Sequence, residues 1–244
     1  MTEYLSGAVA IVTGSVSGIG ASVARALHAE GARVVLNSRS SVAAGRRMEA
    51  GLRDSVYQQA DVTQREGAQA LVQCALDQWG RVDILINCAG ATQRIDHADL
   101  ESATDEVWEQ MLSGNVLSIW HMVQECVPAM LNEGLGRIVN ISSMAGLEVM
   151  GSSIPYAAMK AAVNHTTRLL AKSLGPEITV NAIAPGLIDT PWTAGWTLER
   201  DQVRTHSPMR RIGTPEDVAE ACISLLSQAY TTGVVLPVDG GTRL

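Results

Sequence analysis

Short, almost wholly apolar runs alternate with longer helical patterns, and this alternation constrains the fold more than any other feature of the chain. The clearest runs occupy residues 8–12, 33–36, 82–86, 137–141, 178–183 and 234–238, with a weaker one at 55–60. Strands that are apolar throughout are typical of a parallel sheet covered on both faces. The pattern therefore predicts an α/β fold with a doubly wound parallel sheet of about seven strands and helices on both faces.

The segments between the runs carry apolar residues at the spacing of amphipathic helices. Ile19, Val23 and Leu27 keep that spacing, and Gly31 ends the helix. Similar patterns cover residues 71–76 and 116–127. Because the sequence contains no linker, repeat or low-complexity segment, we predict that residues 1–244 form one domain, which is long enough to bury a core.

Composition excludes several kinds of partner. The chain has 18 Lys and Arg against 25 Asp and Glu, a net charge of −7, and no dense basic run, so neither nucleic acid nor a membrane surface is expected as a partner. Its four cysteines and five histidines form no motif with metal-ligand spacing, and no metal site is predicted. Residues 1–4 begin no signal peptide, and no run reaches the ~18 apolar residues of a membrane span. We therefore expect a cytoplasmic protein with reduced thiols.

The first apolar run leads into a glycine-rich turn at residues 13–20, and the turn leads into the first helix. Gly14, Gly18 and Gly20 would let the backbone turn tightly and approach a pyrophosphate at the helix N-terminus. The spacing is G-x-x-x-G-x-G rather than G-x-G-x-x-G. The order of strand, turn and helix nevertheless predicts a dinucleotide site on a single-domain Rossmann fold.

The end of the second run indicates which dinucleotide is preferred. An acidic residue there would bind a ribose 2′-hydroxyl, whereas this chain has Asn37, Ser38 and Arg39. A guanidinium suits a 2′-phosphate, so NADP(H) is favoured while NAD(H) stays possible. The alternative is that Arg39 is a solvated surface charge. Asp61 follows the third strand, where an adenine could be met.

Tyr156 and Lys160 lie one helical turn apart, after Pro155 at the start of a predicted helix. An ammonium ~4 Å from a phenol would lower the phenol pKa by about three units at an effective dielectric of ~20. This predicts a lowered pKa for Tyr156 and a role in general acid/base catalysis. Such pairs also occur on ordinary helix surfaces. Ser143 supports the catalytic interpretation, because it follows a buried strand at the sheet edge where ligands bind.

Taken together, these features resemble the short-chain dehydrogenase/reductase family of single-domain type, over essentially the whole chain. The matching features, in order, are the T-G-x-x-x-G-x-G turn, Asp61, N-x-A-G at 87–90, Asn115, Ser143, Tyr156 with Lys160, Pro185-Gly186 with Thr190, and D-G-G at 239–241. The resemblance implies an NADP(H)-dependent oxidoreductase that interconverts a ketone and a secondary alcohol. Two residues, Cys88 and Ser17, depart from common family patterns.

The resemblance also implies residue roles. Tyr156 would exchange a proton with the substrate oxygen, and Ser143 would hydrogen-bond that oxygen. Lys160 would bind the nicotinamide ribose and lower the tyrosine pKa, and Asn115 would hold a water of a proton relay. Contacts to the cofactor are expected from Gly14, Ser15, Ser17, Gly18, Ile19, Gly20, Ser38, Arg39, Asp61, Val62, Asn87, Ala89, Gly90, Tyr156, Lys160, Pro185, Gly186, Ile188 and Thr190.

The segment after Thr190 would cover the substrate. Trp192 and Trp196 predict a mobile apolar lid there, with packing at a subunit interface as the alternative. Arg94 and Glu148 each have two interpretations, a surface charge or a contact with a charged substrate. Substrate contacts are expected from Ser143, Met144, Met150, Tyr156, Trp192 and Trp196, with Leu147 and Val149 in the pocket floor.

Within the family, the segment at residues 211–219 is most similar to 3-oxoacyl-acyl-carrier-protein reductases. A carrier protein is acidic, however, and the corresponding docking regions here contain Glu133 and Glu177. The two acidic surfaces would then repel each other, so a small-molecule ketone is favoured over a carrier-bound one. A non-catalytic redox sensor is a third interpretation, weakened by the complete set of catalytic residues. The resemblance also implies a homotetramer or homodimer.

Overall fold

A computed structural model describes residues 5–244, so the prediction about a signal peptide at residues 1–4 lies outside the described part. The strands are β1 (Val9–Val12), β2 (Arg33–Ser38), β3 (Ser55–Gln59), β4 (Ile84–Asn87), β5 (Gly136–Ile141), β6 (Ile178–Pro185) and β7 (Val235–Val238). All neighbours pair in parallel, in the order β3-β2-β1-β4-β5-β6-β7. The predicted doubly wound parallel sheet is confirmed, including the weak third strand.

Helices connect the strands and cover both faces of the sheet. They are α1 (Gly18–Ala29), α2 (Val42–Gly51), α3 (Arg65–Trp79), α4 (Asp105–Leu112), α5 (Ser118–Glu133), α6 (Ile154–Leu174), α7 (Thr197–His206) and α8 (Pro215–Ser227). A five-residue π-helical turn, Ser113–Leu117, joins α4 to α5. No helix among residues 5–244 is long and apolar enough to cross a membrane.

Alternate residues of each central strand enter different halves of the core. Ala10 and Val12 of β1 pack with residues of α1 and α8, whereas Val9 and Ile11 pack with residues of α3, α5 and α6. All four β1 side chains are fully buried. Since successive side chains of a strand point to opposite faces, burial on both faces explains why the strands are apolar throughout.

The strand order reverses between β1 and β4. The chain builds outward from β1 through β2 to β3, then returns to place β4 on the other side of β1. The connections that leave the carboxyl ends of β1 and β4 therefore run in opposite directions and leave a crevice between them. This reversal is where open α/β sheets bind their ligands.

Candidate active site

A cavity of about 1690 Å³ opens at the carboxyl ends of the strands. It is larger than the ~300–1,000 Å³ typical of a site for one drug-sized molecule, so it has room for a dinucleotide and a second molecule. Most of the residues predicted to contact cofactor or substrate line it: Gly14, Ser17, Gly18, Ile19, Gly20, Ser38, Arg39, Asp61, Val62, Ala89, Gly90, Ser143, Met144, Met150, Tyr156, Lys160, Pro185, Gly186, Ile188, Thr190, Trp192 and Trp196.

The glycine-rich turn needs its glycines for two reasons. Gly14 and Gly18 have φ values of +63° and +50°, a region that side chains disfavour. A Cβ on Gly20 would lie 2.4 Å from the carbonyl oxygen of Gly14, so α1 could not approach the turn as closely. The result is an open helix N-terminus at one end of the cavity, a favourable place for a phosphate.

Ser15 and Asn87 were predicted to contact the cofactor, and the structure places both below the cavity surface. The Ser15 hydroxyl accepts a hydrogen bond from the Asn37 amide at 2.8 Å, which joins the turn to β2. The Asn87 side chain donates to Asn140 Oδ1 at 2.9 Å, which joins β4 to β5. Neither residue lines the cavity, and each side chain supports the backbone that forms the site, so a contact of either residue with the cofactor stays a prediction.

The ends of β2 and β3 line the cavity next to the glycine-rich turn, which hydrogen-bonds to Asn37 of β2. The Ser38 hydroxyl pairs with the Tyr57 hydroxyl at 2.8 Å, and Asp61 accepts hydrogen bonds from the backbone and hydroxyl of Thr63. Arg39 is exposed, lines the cavity, and forms no ion pair within residues 5–244. Its guanidinium is therefore available to an anionic ligand.

Helix α6 brings Tyr156 and Lys160 to the wall of the cavity. Ser153 caps the helix by accepting a hydrogen bond from the Tyr156 amide, and Pro155 lies in the first turn. The Lys160 ammonium donates to the Ile141 carbonyl at 2.9 Å and lies 5.7 Å from the centre of the Tyr156 ring. The two side chains thus share one face of the helix, as their spacing predicts.

The protonation states differ from the sequence-based prediction. Burial raises the pKa of Tyr156, although hydrogen bonding with Ser143 partly opposes this shift. Burial also lowers the pKa of Lys160 from 10.5 to about 8. The expected lowering of the tyrosine pKa by Lys160 is therefore corrected. Both groups lose water on burial, and each is shifted toward its neutral form.

Asn115 lies between α4 and α5. It lies in the middle of the π-helical turn, fully buried, and does not line the cavity. Its side-chain amide donates to the carbonyls of Ala91 and Met111, each at 3.0 Å, and its oxygen accepts from the Ala91 amide. The side chain therefore holds the loop after β4 against the turn, and its contact with a relay water stays a prediction.

Apolar side chains form part of the remaining lining. They include Val149, Met150 and Trp192, and Trp192 is 47% exposed in a short 3-10 turn. A Cβ on Gly90 would lie 3.8 Å from both the Lys160 ammonium and the Trp192 ring, so the tryptophan reaches the catalytic region. Leu147 is not part of the lining, and Glu148 is exposed outside it.

Sequence reasoning missed one side of the cavity. Helix α7 contributes Glu199, Gln202, Val203 and His206, which are spaced like one face of a helix. No residue of α7 is buried, so the segment lacks the apolar pattern that predicts helices facing a core. The helical spacing of these four residues, directly after the predicted lid, was the only available signal.

Comparisons with known proteins agree with this geometry. A family model described as enoyl-(acyl carrier protein) reductase matches residues 14–243. A Streptomyces violaceoruber protein named as ketoacyl reductase 2 of the granaticin polyketide synthase is 48% identical, over 100% of this chain and 99% of the relative. The 3-oxoacyl-[acyl-carrier-protein] reductase FabG of Thermotoga maritima is 34% identical, over 97% and 98% of the two chains. The solved Pseudomonas aeruginosa RhlG/NADP active-site complex superimposes with a TM-score of 0.90 at 35% identity, covering 100% of this chain and 99% of that one.

Proposed function

Because the chain belongs to the short-chain dehydrogenase/reductase family, we propose that it is an NADP(H)-dependent oxidoreductase that interconverts a ketone and a secondary alcohol. The observation that carries the proposal is the single cavity that joins Arg39 and the glycine-rich turn at one end to Ser143, Tyr156 and Lys160 at the other. One ligand can therefore contact both ends while a second molecule lies against Tyr156.

The residues present fit an NADP(H) molecule. The turn of Gly14, Gly18 and Gly20 lies at the N-terminus of α1, where a pyrophosphate is stabilised, and α1 packs against the turn so closely that a Cβ on Gly20 would collide with the Gly14 carbonyl. Arg39 would bind the 2′-phosphate, and Thr190 and Ile188 would lie beside the nicotinamide. When bound, this cofactor supplies the hydride that is added to the carbonyl carbon.

The protein residues would manage the proton and the substrate oxygen. Tyr156 would donate its proton to the carbonyl oxygen, and its raised pKa keeps it protonated at neutral pH, as reduction requires. Ser143 would hydrogen-bond the same oxygen and stabilise the charge that develops on it. Lys160 would bind the nicotinamide ribose through its ammonium. Asn115 would position the loop that carries Gly90.

For the substrate, we favour a small-molecule ketone with an apolar part, which makes the protein a carbonyl reductase. Met150 and Trp192 line the cavity together with Tyr156 and would provide apolar contacts for such a substrate. A 3-oxoacyl-carrier-protein substrate is the second candidate, favoured by the name of the Thermotoga maritima relative, while the Streptomyces violaceoruber relative is named as a ketoacyl reductase. The charge of Glu133 is balanced by an ion pair with Arg81, so this residue would repel an acidic carrier protein less than the exposed Glu177 would.

The test uses purified protein, NADPH or NADH, and a panel of ketones, with cofactor oxidation as the readout. We expect NADPH to be oxidised faster than NADH. Tyr156→Phe should lower kcat by at least ~100-fold because it removes the proton donor, while NADPH binding stays nearly unchanged. The exposed Tyr230→Phe is the matched control and should behave like wild type. Full activity of Tyr156→Phe would refute the mechanism.

We also propose that the protein acts in the cytoplasm as a homotetramer or homodimer. The four cysteines are all free thiols, as expected in a reducing compartment. Trp108, Leu112 and Trp120 on α4 and α5 are between 37% and 43% exposed, which is unusual for large apolar side chains that remain in water. Pairing of these helices with a second copy would cover them.

A further inference from the structure

Arg94 links two walls of the cavity. It lies in the loop that follows β4, and its guanidinium forms an ion pair with Glu199 of α7. The same guanidinium lies over the ring of Trp196, 5.2 Å from the ring centre. All three residues, which we call the Arg94 cluster, line the cavity.

The loop that carries Arg94 is firmly attached to the body of the protein. The side chain of the next residue, Ile95, is buried, and its amide donates to the Ser152 carbonyl at 2.8 Å. The hydroxyl of Thr92 hydrogen-bonds with the hydroxyl of the same serine. Arg94 therefore extends from a fixed base.

Helix α7, in contrast, is held by few contacts. It buries none of its own residues. Apart from Arg94, the ion pair that joins α7 to the rest of the described chain is Arg200 with Asp189, at 2.8 Å. A further nitrogen of Arg200 is buried and has no hydrogen-bond partner within residues 5–244. The helix and the preceding Trp196 thus depend on side-chain contacts for their position.

From this arrangement we infer that Arg94 is a specificity-determining positioning residue: fixed by Glu199, it holds the ring of Trp196 as one wall of the substrate cavity. The inference rests on the proposed function, because selectivity is read from ketone reduction. A cation over an aromatic face is attracted by the ring quadrupole, and the ion pair fixes the plane of the guanidinium. The position of Trp196 then decides how well an apolar substituent of the substrate fits.

The experiment compares two substrates that share one reacting ketone, ethyl acetoacetate and benzyl acetoacetate, with NADPH. Arg94→Met and Glu199→Gln should each raise KM for the benzyl ester about fivefold, the loss expected for these contacts, with kcat within about twofold. KM for the ethyl ester should stay unchanged, since its small substituent does not reach Trp196. Arg94→Lys keeps the charge but loses the planar group, so its KM should be intermediate.

Two further variants separate positioning from a general structural effect. In a Trp196→Ala background, Arg94→Met should have no additional effect on the benzyl ester, because the ring to be positioned is gone. Arg47→Met removes an exposed arginine on α2 that does not line the cavity, and it should match wild type with both esters. Melting temperatures would show that the variants are folded.

Each other outcome contradicts a specific part of the argument. Unchanged KM values in Arg94→Met, or additive effects of Arg94→Met and Trp196→Ala, would overturn the inference alone. If Glu199→Gln lowered KM while Arg94→Met raised it, Arg94 would be binding the substrate directly, and the positioning role would be wrong. If wild-type protein reduced neither ester nor any other ketone, the proposed function itself would fail.

Discussion

The ammonium of Lys160 is among the least solvated charged groups of the protein. The residue is 5% exposed, and its ammonium makes one hydrogen bond, to the Ile141 carbonyl. A charge that leaves water without a full set of partners favours its neutral form, which explains the low pKa. In the proposed reaction, the ribose hydroxyls of the cofactor would supply the missing partners.

This environment predicts an unusual pH dependence of stability for the cofactor-free protein. The pKa of Lys160 is about 8 in the folded chain against 10.5 for an ordinary lysine, so between these values the unfolded chain binds more protons. Lys160 should therefore contribute an increase in the free energy of unfolding with pH across this interval, by about 3 kcal/mol if the full shift is expressed. The buried thiols of Cys88, Cys126 and Cys222 contribute in the opposite direction, because burial raises their pKa. The free energy of wild type minus that of Lys160→Met should therefore rise with pH, and urea unfolding of both proteins measures this difference.

Lys172→Met is the matched control, because Lys172 is on the same helix but exposed. It should show the same pH dependence as wild type. A Lys160→Met profile that runs parallel to that of wild type across the interval would contradict the prediction.

For single residues, the sequence predicted which residues belong to the site better than it predicted what each side chain contacts. Glycines and the Tyr156–Lys160 pair are set by local spacing, and the structure places them as expected. Ser15 and Asn87 looked like ligand contacts because they lie in the right motifs, yet each hydrogen-bonds to a neighbouring strand. Whether a polar side chain faces a ligand or the backbone depends on tertiary contacts that spacing does not encode.

Among the helices, α8 shows how local sequence can define an element. Thr214 accepts a hydrogen bond from the Asp217 amide, Asp217 accepts one from the Thr214 amide at 2.7 Å, and Pro215 follows the cap. Arg211 forms an ion pair with Asp217 at 2.6 Å. The hydrogen bond from Arg211 lowers the pKa of Asp217, so this carboxylate stays charged in mildly acidic solution.

We predict that Asp217→Ala lowers the free energy of unfolding by about 1 kcal/mol at neutral pH, because it removes half of the capping box. The contribution is present above the ordinary aspartate pKa and is lost as pH falls, since the folded chain binds its proton less readily. Denaturant unfolding at neutral and acidic pH tests both statements. Asp201→Ala on α7, where the side chain is 74% exposed, should have little effect. Equal losses in the two variants would refute the cap.

Some elements could not be predicted because tertiary contacts, rather than local sequence, stabilise them. The π-helical turn between α4 and α5 has the same apolar pattern as an ordinary helix. It is distinguished by the hydrogen bond from Asn115 to the Ala91 carbonyl, which is a tertiary contact. Helix α7 has no apolar face, so the spacing of apolar residues does not indicate that it lines the cavity. In contrast, the five central strands β2, β1, β4, β5 and β6 are buried enough for their composition to identify them.

For the molecule as a whole, the exposed apolar face of α4 and α5 predicts self-association. Wild-type protein should sediment at about two or four times the 25.9 kDa mass of the chain, and Trp120→Glu should shift it to a smaller species because a charge would be buried in the contact. Val42→Glu alters an apolar side chain of similar exposure on α2 and should not change the mass. A monomeric wild type would refute the prediction.

Because the strand order reverses between β1 and β4, different parts of the chain form the cofactor end and the substrate end of the cavity, and each end can be altered separately. Arg39 and the residues after β3, which face the proposed 2′-phosphate end, come from one side of the reversal. Tyr156, Trp192 and Trp196 come from connections on the other side. Cofactor preference and substrate range can therefore be engineered in independent libraries and combined afterwards, with effects that should add because the altered side chains share no contacts.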